Sequence, residues 1–278
     1  MEDMSEVLLL ERCEPSLPFA FLERLESLFG DLLDTNRQDP VKEVSLTSVA
    51  IDLLKTLMKR SVFSLNLFRL VSGRWVVCHT ANVSFIVGSL FVNGSFPYAF
   101  AVQGMKAVIL HDIGHFFLKS ASVEDDFDEK KDNHRLHPVL GCKFCVQLNL
   151  SADECDAVLY HHERFDGTGF ISRKGKTIPF YARIIRLADE VERLLMWCER
   201  TPADFLGSLL KLRGTVLDPD LVGDFLGTFG PLPTGARVSW KGETLVCRGL
   251  DKKSGKILFD TESGDLVFVP IEHFAKKK

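Results

Sequence analysis

The sequence predicts a mainly α protein, a helical bundle followed by a small C-terminal antiparallel β module. Three observations carry that expectation. Apolar residues recur at helical spacing in long stretches between Phe19 and Phe229. Helix-opening signals punctuate those stretches, among them Pro138 and the capping-box pattern Ser151-Ala152-Asp153-Glu154. Beyond Gly230-Pro231-Leu232-Pro233 the pattern changes to short apolar runs separated by Gly and Asp turns. The chain is therefore expected to divide into a helical extension over residues 1–40, a main helical domain over 41–230 and a β module over 231–278.

Phe19 to Leu33 is amphipathic, with Phe21, Leu22, Leu25, Leu28, Phe29 and Leu32 at helical spacing, and reads as a packing or dimer helix. Asp34 to Pro40 breaks the pattern as a polar loop. From Val41 helical periodicity resumes through Ile51, Leu53, Leu54, Leu57 and Met58, and is expected again through Phe63, Leu65, Leu67 and Leu70 up to Ser72-Gly73. The next helix, Trp75 to Val92, places His79 on the face of Val83 and Ile86. Val102 to Leu110 then leads into His111-Asp112.

Residues 120–135 are highly charged and read as a solvated loop, lying between two candidate ligands where it could also form a mobile rim. Pro138 opens a helix in which Cys142 and Cys145 have CxxC spacing; without a second pair, and among Val139, Leu140, Phe144 and Val146, they read as core thiols. A helix opened by Ser151 ends in Tyr160-His161-His162-Glu163, and Asp166-Gly167-Thr168-Gly169 forces the turn after it. Further helices are expected from Pro179 to Cys198, from Thr201-Pro202 and from Asp218-Pro219. The expected strands are 237–240, 244–248, 256–260 and 266–270, with a hairpin turn at Ser263-Gly264-Asp265. Gly249 to Lys256 has one spacer too many for a phosphate loop, and Ile257 stands where Ser or Thr is needed.

Composition excludes several classes. A formal net charge of -4 argues against a general binder of nucleic-acid polymers. Seven cysteines without framework spacing, and an opening Met1-Glu2-Asp3 that lacks the basic flank of an export signal, point to reduced thiols in a cytoplasm. No apolar run is expected to reach membrane-spanning length or to insert in a membrane; Val83 to Val92 is short and contains serines and a glycine.

The chemistry-bearing residues are the histidines. Seven of the eight (His79, His111, His115, His134, His137, His161 and His162) fall between residues 79 and 162. One His beside one Asp is usually a surface pair or a satisfied core contact, but imidazoles clustered with a carboxylate suit iron, manganese or zinc, and a carboxylate can bridge two ions. Asp189, a carboxylate inside the apolar run of its helix, also calls for a cation.

The ordered set His79, His111-Asp112, His137-Pro138, His161-His162-Glu163-Arg164 to Asp166-Gly167-Thr168-Gly169, and Ala188-Asp189 resembles the HD-GYP family. These are cyclic-di-GMP phosphodiesterases and relatives within the HD superfamily of metal-dependent phosphohydrolases, and the resemblance spans roughly residues 44–229. It implies an HD-superfamily helical bundle and two divalent ions, iron or manganese. His79, His111, Asp112 and Asp189 would hold one ion, with Asp112 bridging to a second held by His137, His161 and His162. Two cations would neutralise phosphodiester charge and lower the pKa of a water between them. The implied product is linear pGpG or GMP. The implied partners are the cyclic dinucleotide and a diguanylate cyclase (GGDEF protein) or other signalling proteins.

Departures from the family pattern accompany these matches. Trp75 stands where some relatives have an acid for a third metal, and His115 replaces a lysine near phosphate. Gly169-Phe170-Ile171 replaces Gly-Tyr-Pro, and only Arg200 could stand in for the usual basic stretch after Asp189. The resemblance thus implies a divergent phosphodiesterase, with Asp112 as bridging ligand and His115, Arg164 and Arg200 as phosphate contacts, His115 alternatively as an acid. The rival expectation is a non-catalytic signalling or binding module that keeps the di-metal centre. An oxygen-using di-iron relative is a third.

Overall fold

The computed structural model describes residues 17–34, 39–68, 74–118, 134–197 and 202–270. The fold class is the expected one: helices make up most of the chain, and a small antiparallel sheet follows them. The helices are α1 (Phe19–Leu33), α2 (Asp39–Met58), α3 (Trp75–Asn93), α4 (Tyr98–Leu110), α5 (His137–Gln147), α6 (Ala152–Tyr160), α7 (Phe180–Trp197), α8 (Pro202–Leu212) and α9 (Pro219–Phe229).

Helix α3 is the axis of the bundle and packs against α1, α2, α4, α7 and α9. Every residue from Val76 to Phe91 is buried, so the helix has no polar face to give to water. By length and hydropathy it would suffice to cross a membrane, which corrects the expectation that no stretch reaches that length; 89% of its apolar window is buried inside the protein. Helix α1 lays Leu22, Leu25, Leu28, Phe29 and Leu32 into the same core, against α2 and α3.

One stretch departs from the helical expectation. Residues 62–63 form strand β1, and the chain stays non-helical to Phe68. Phe63 and every residue from Leu65 to Phe68 are buried, so this extended stretch is enclosed by the bundle, with Phe68 N–H donating to Asn82 Oδ1 at 2.8 Å. Leu70 lies outside the described residues.

Four further strands, β2 (Arg237–Trp240), β3 (Glu243–Asp251), β4 (Lys256–Thr261) and β5 (Leu266–Pro270), complete the sheet. The order is β1-β3-β4-β5, with β2 also paired to β3, and every pairing is antiparallel. Val62 pairs with Asp251 and Phe63 with Leu250, so one strand of the sheet comes from the linker between α2 and α3. A register shift between Cys247 and Gly249 makes room for that strand. Gly249 has φ +140°, and a Cβ there would lie 2.2 Å from the Phe63 carbonyl oxygen, so no other residue fits without moving β1.

Candidate metal centre

Three helix ends and one helix face bring the site together. His79 lies one turn into α3, its ring inside the bundle. α4 ends at Leu110; His111 is its C-cap, and a 3-10 turn (Ile113–Phe117) follows Asp112 at once. That turn lies against the start of α5, because Gly114 has no side chain: a Cβ would sit 1.9 Å from the His137 carbonyl oxygen. Pro138 in the first turn of α5 fixes His137 at its head. The capping box of Ser151 and Glu154 starts α6, which gives way at His161. Adjacent residues on a continuous helix point about 100° apart. With the helix ending between them, the His161 and His162 rings come within 4.1 Å, both facing His137.

The result is a convergence of Nε2 atoms on one carboxylate. Asp112 Oδ2 lies 3.3 Å from His79 Nε2 and 3.5 Å from His111 Nε2. Its Oδ1 lies 3.2 Å from His137 Nε2 and 3.5 Å from His161 Nε2. The rings also approach one another: His79 to His111 at 3.0 Å, His137 to His161 at 3.2 Å and His162 to His137 at 3.1 Å, all through Nε2. Two groups of ligand atoms share Asp112, namely His79-His111-Asp112 and Asp112-His137-His161-His162.

The outward nitrogens decide what the inward ones can be. His79 Nδ1 meets the Glu192 carboxylate at 2.6 Å, and His111 and His161 each give Nδ1 to a backbone carbonyl at 2.7 Å, of Val108 and Val158. Those acceptors require N–H at Nδ1, so the neutral rings present bare Nε2 lone pairs to each other and to Asp112. Such a cluster needs positive charge within it. Without metal a proton serves on one side: burial opposes the charge on His79, but Glu192, then Asp112 and Asp189, raise its pKa to about 10. Burial, with Asp112 opposing and His79 and His161 assisting, takes His111 down to about 4. His162 is lowered well below the usual range by burial, by His161 and His137, and by Arg186. Asp112 is held well below the usual carboxylate range; its burial opposes this, and His111, His137 and His161 overcome it. The donor set, imidazole nitrogen with carboxylate oxygen and with His79, His111 and His161 oriented from behind, suits a divalent cation.

The other predicted site residues are placed less uniformly. Asp189 on α7 is 3.7 Å from His79 Nε2 but stands outside both tight groups, and its Oδ2 meets Arg186 at 3.2 Å. It is not the bare acid the sequence suggests. His115 stacks on His137 at 4.0 Å, with Nε2 3.8 Å from Asp112 and the Trp75 ring edge-on at 5.0 Å. Arg164 gives its guanidinium to its own loop, to Asp166 at 2.8 Å and Thr168 at 2.7 Å, which holds the Asp166 carboxyl below its usual range. Arg200 and most of the charged 120–135 segment lie outside the described residues.

Glu192, Asn82 and Arg186 escaped sequence reasoning, and Glu163, Gly169 and Phe170 entered it only as parts of motifs. Glu192 and Asn82 orient His79, Asn82 donating to Glu192 at 2.7 Å. Arg186, buried on α7, touches His162, Asp189 and Glu190. Glu163 accepts from the backbone N–H of Ile171 and Arg173, both at 2.6 Å, and so folds the Gly-Phe-Ile loop over the site. Gly169 is required there, since a Cβ would lie 2.7 Å from Glu163 Cα. Phe170 covers His162 at 5.1 Å, and the Arg135 guanidinium lies over Phe170 at 5.3 Å. The available signal is the placing of Arg186, Asp189, Glu190 and Glu192 among Ile184, Ile185, Leu187, Ala188 and Val191 of α7.

Comparison with known proteins agrees with this geometry. Residues 76–194 match the HD domain family. Among solved structures, the chain is similar to "Bd1817, a HDG"Y"P protein from Bdellovibrio bacteriovorus", with TM-score 0.54 and 14% identity over 74% of this chain and 68% of that one. A cyclic GMP-AMP specific phosphodiesterase from V. cholerae (V-cGAP3) aligns with TM-score 0.46 and 17% identity over 65% of this chain and 47% of its own length. No curated protein sequence matches. HD domains are scaffolds of metal-dependent phosphohydrolases, and the His/Asp cluster here is compatible with that chemistry. Residues 76–194 thus match the HD domain family, and the chain shares its fold with a solved HD-GYP protein.

Proposed function

We propose that this chain is a metal-dependent phosphodiesterase that hydrolyses a cyclic dinucleotide, with cyclic-di-GMP the first candidate, at a centre of two divalent ions, iron or manganese. One observation carries the reading: the Nε2 atoms of His79, His111 and His161, their Nδ1 atoms engaged behind them, converge on the two oxygens of one buried carboxylate. Asp112 would bridge, with His79, His111 and Asp189 on its Oδ2 side and His137, His161 and His162 on its Oδ1 side. Bound divalent ions would supply charge neutralisation for the phosphodiester and lower the pKa of a water. Trp75 fills the side where a third ligand set would need an acid, which favours two ions over three.

The chain's own residues then divide the remaining work. His115, beside Asp112 and stacked on His137, is placed to hold a proton at Nε2 for the leaving oxygen. Phe170 excludes water above His162, and Arg135 offers a cation at the rim. Arg164 is a weaker phosphate contact than the sequence suggests, because Asp166 and Thr168 hold its guanidinium. That commitment favours the second reading, a signalling or binding module that keeps the metal centre without turnover. A diguanylate cyclase or other signalling protein as partner belongs to either reading.

The test is anaerobic turnover of cyclic-di-GMP with Fe(II) or Mn(II), beside the His111→Ala and Asp112→Ala variants. Formation of pGpG or GMP, lost in both variants, supports the enzyme. No product from protein that holds its metals rules out this substrate and leaves the binding module.

A further inference from the structure

The side of the centre facing α7 carries a cation of the protein's own. The Arg186 side chain is 92% buried. Its Nη1 lies 3.2 Å from Asp189 Oδ2 and 3.2 Å from His162 Nδ1, while Nη2 is bonded to Glu190. A guanidinium has only donors and does not lose its charge in a protein. His162 Nδ1 must therefore accept from it, which leaves the proton of a neutral His162 ring on Nε2, the atom 3.1 Å from His137 Nε2. His162 thus turns an N–H toward the cluster, where His111 and His161, backed by carbonyls, turn lone pairs. To ligate through Nε2, His162 would have to carry its proton on Nδ1, against the N–H of Arg186. Ligation and the Arg186 contact exclude each other.

Building on the di-metal reading above, we propose that Arg186 is a built-in competitor of the metals: it holds Asp189 by one oxygen and His162 by Nδ1. One ion would then be left with His79, His111 and Asp112 and the other with Asp112, His137 and His161 until the guanidinium is displaced. Arg186 is a positioning residue in this scheme, acting through the two ligands it restrains. An incoming phosphodiester is one agent that could draw it away, since a phosphate takes a guanidinium in bidentate fashion. The metal centre would then reach its full ligand set only when substrate arrives.

Arg186→Met tests this. The thioether chain keeps much of the packing, Glu190 retains its bond from Arg193 Nε at 2.9 Å, and the buried Arg186 Nε, which has no partner among the described residues, is removed with the charge. Affinity and stoichiometry for Mn(II) are measured anaerobically by calorimetry and chelator competition on wild type, Arg186→Met and the charge-balanced pair Arg186→Met/Glu190→Gln. The expected result is binding between about tenfold and a hundredfold tighter in both variants, the range by which groups behind metal ligands act. Equal or weaker binding in both overturns the proposal. A second readout needs no variant: nitrogen NMR of the metal-free wild-type imidazoles should show the proton on Nε2 of His162 and on Nδ1 of His111 and His161. A proton on Nδ1 of His162 overturns the proposal as well. Metal binding by Arg186→Met but not by wild type would sustain the competitor and defeat the phosphodiesterase reading for the native chain. Binding by neither would defeat both.

Discussion

Glu192→Gln is the most informative single change to the centre. Glu192 is buried, accepts at Oε1 from Asn82 and meets His79 Nδ1 through Oε2 at 2.6 Å. The glutamine carbonyl would keep the Asn82 bond, which turns its NH2 toward His79. Nδ1 would then accept, and the ring proton would move to Nε2, the atom that faces Asp112 and His111. Metal affinity should fall by about ten- to a hundredfold. In the metal-free protein the effect falls on the charge of His79. Burial alone lowers a histidine, and Glu192 is the first of the charges that raise His79 to about 10. Without it the value should fall, with Asp112 and Asp189 still raising it, and each pKa step of the fall removes about 1.36 kcal/mol of preference for the charged ring.

The sign follows from linkage. A histidine raised in the folded state adds stability that is fully present below about pH 6.5 and is lost as pH rises through about 10. Metal-free wild type should therefore exceed Glu192→Gln most at pH 6, with the gap closing toward pH 10. Urea unfolding of both proteins across that range, with His79 followed by NMR, reads the effect. A gap that stays constant with pH would refute the assignment of Glu192 as the group that charges His79.

Gly114→Ala should unseat the turn below Asp112, because the added carbon falls 1.9 Å from the His137 carbonyl; a loss of at least about 2 kcal/mol, or roughly 5 °C in Tm, together with weakened metal binding, is expected by calorimetry. Gly249→Ala, at φ +140° and 2.2 Å from the Phe63 carbonyl, should open the β1–β3 pairing. Faster amide exchange at residues 62–63 with unchanged metal affinity is its signature. Acid should destabilise the metal-free protein between about pH 6.5 and 4, because His111 stays neutral to about 4 when folded but takes a proton when unfolded. That contribution, about 3 kcal/mol, is present above 6.5 and is lost as pH falls; denaturant unfolding at pH 7 and pH 4 measures it, and saturating Mn(II) at pH 7 should raise stability further.

Much of this molecule is legible in the sequence because the signals are local. The α1 stripe of Leu22, Leu25, Leu28 and Leu32, the capping box at Ser151 and the Gly and Asp turns of the sheet each depend on residues within a few positions of one another. The stretch Phe63 to Phe68 was misread for the same reason. Its apolar residues pass as a continuation of helical periodicity, and what holds it extended lies far off in sequence: an edge of β3 at Phe63 and the Asn82 side chain at Phe68. Local pattern holds no record of those partners.

The sequence by itself determined the fold class and the order of the imidazole and carboxylate residues, since donor chemistry and apolar periodicity are written in residue type and spacing. Only the tertiary structure decided which nitrogen His79 and His162 present. His111 and His161 are oriented locally, by carbonyls three residues back, whereas Glu192 stands behind His79 and a guanidinium behind His162. Asp189 and Arg186 are three residues apart on one helix, yet whether that acid serves a metal or an arginine is set by how α7 packs against α3 and α6. A hydrogen bond has direction, and direction is fixed only when the helices are in place.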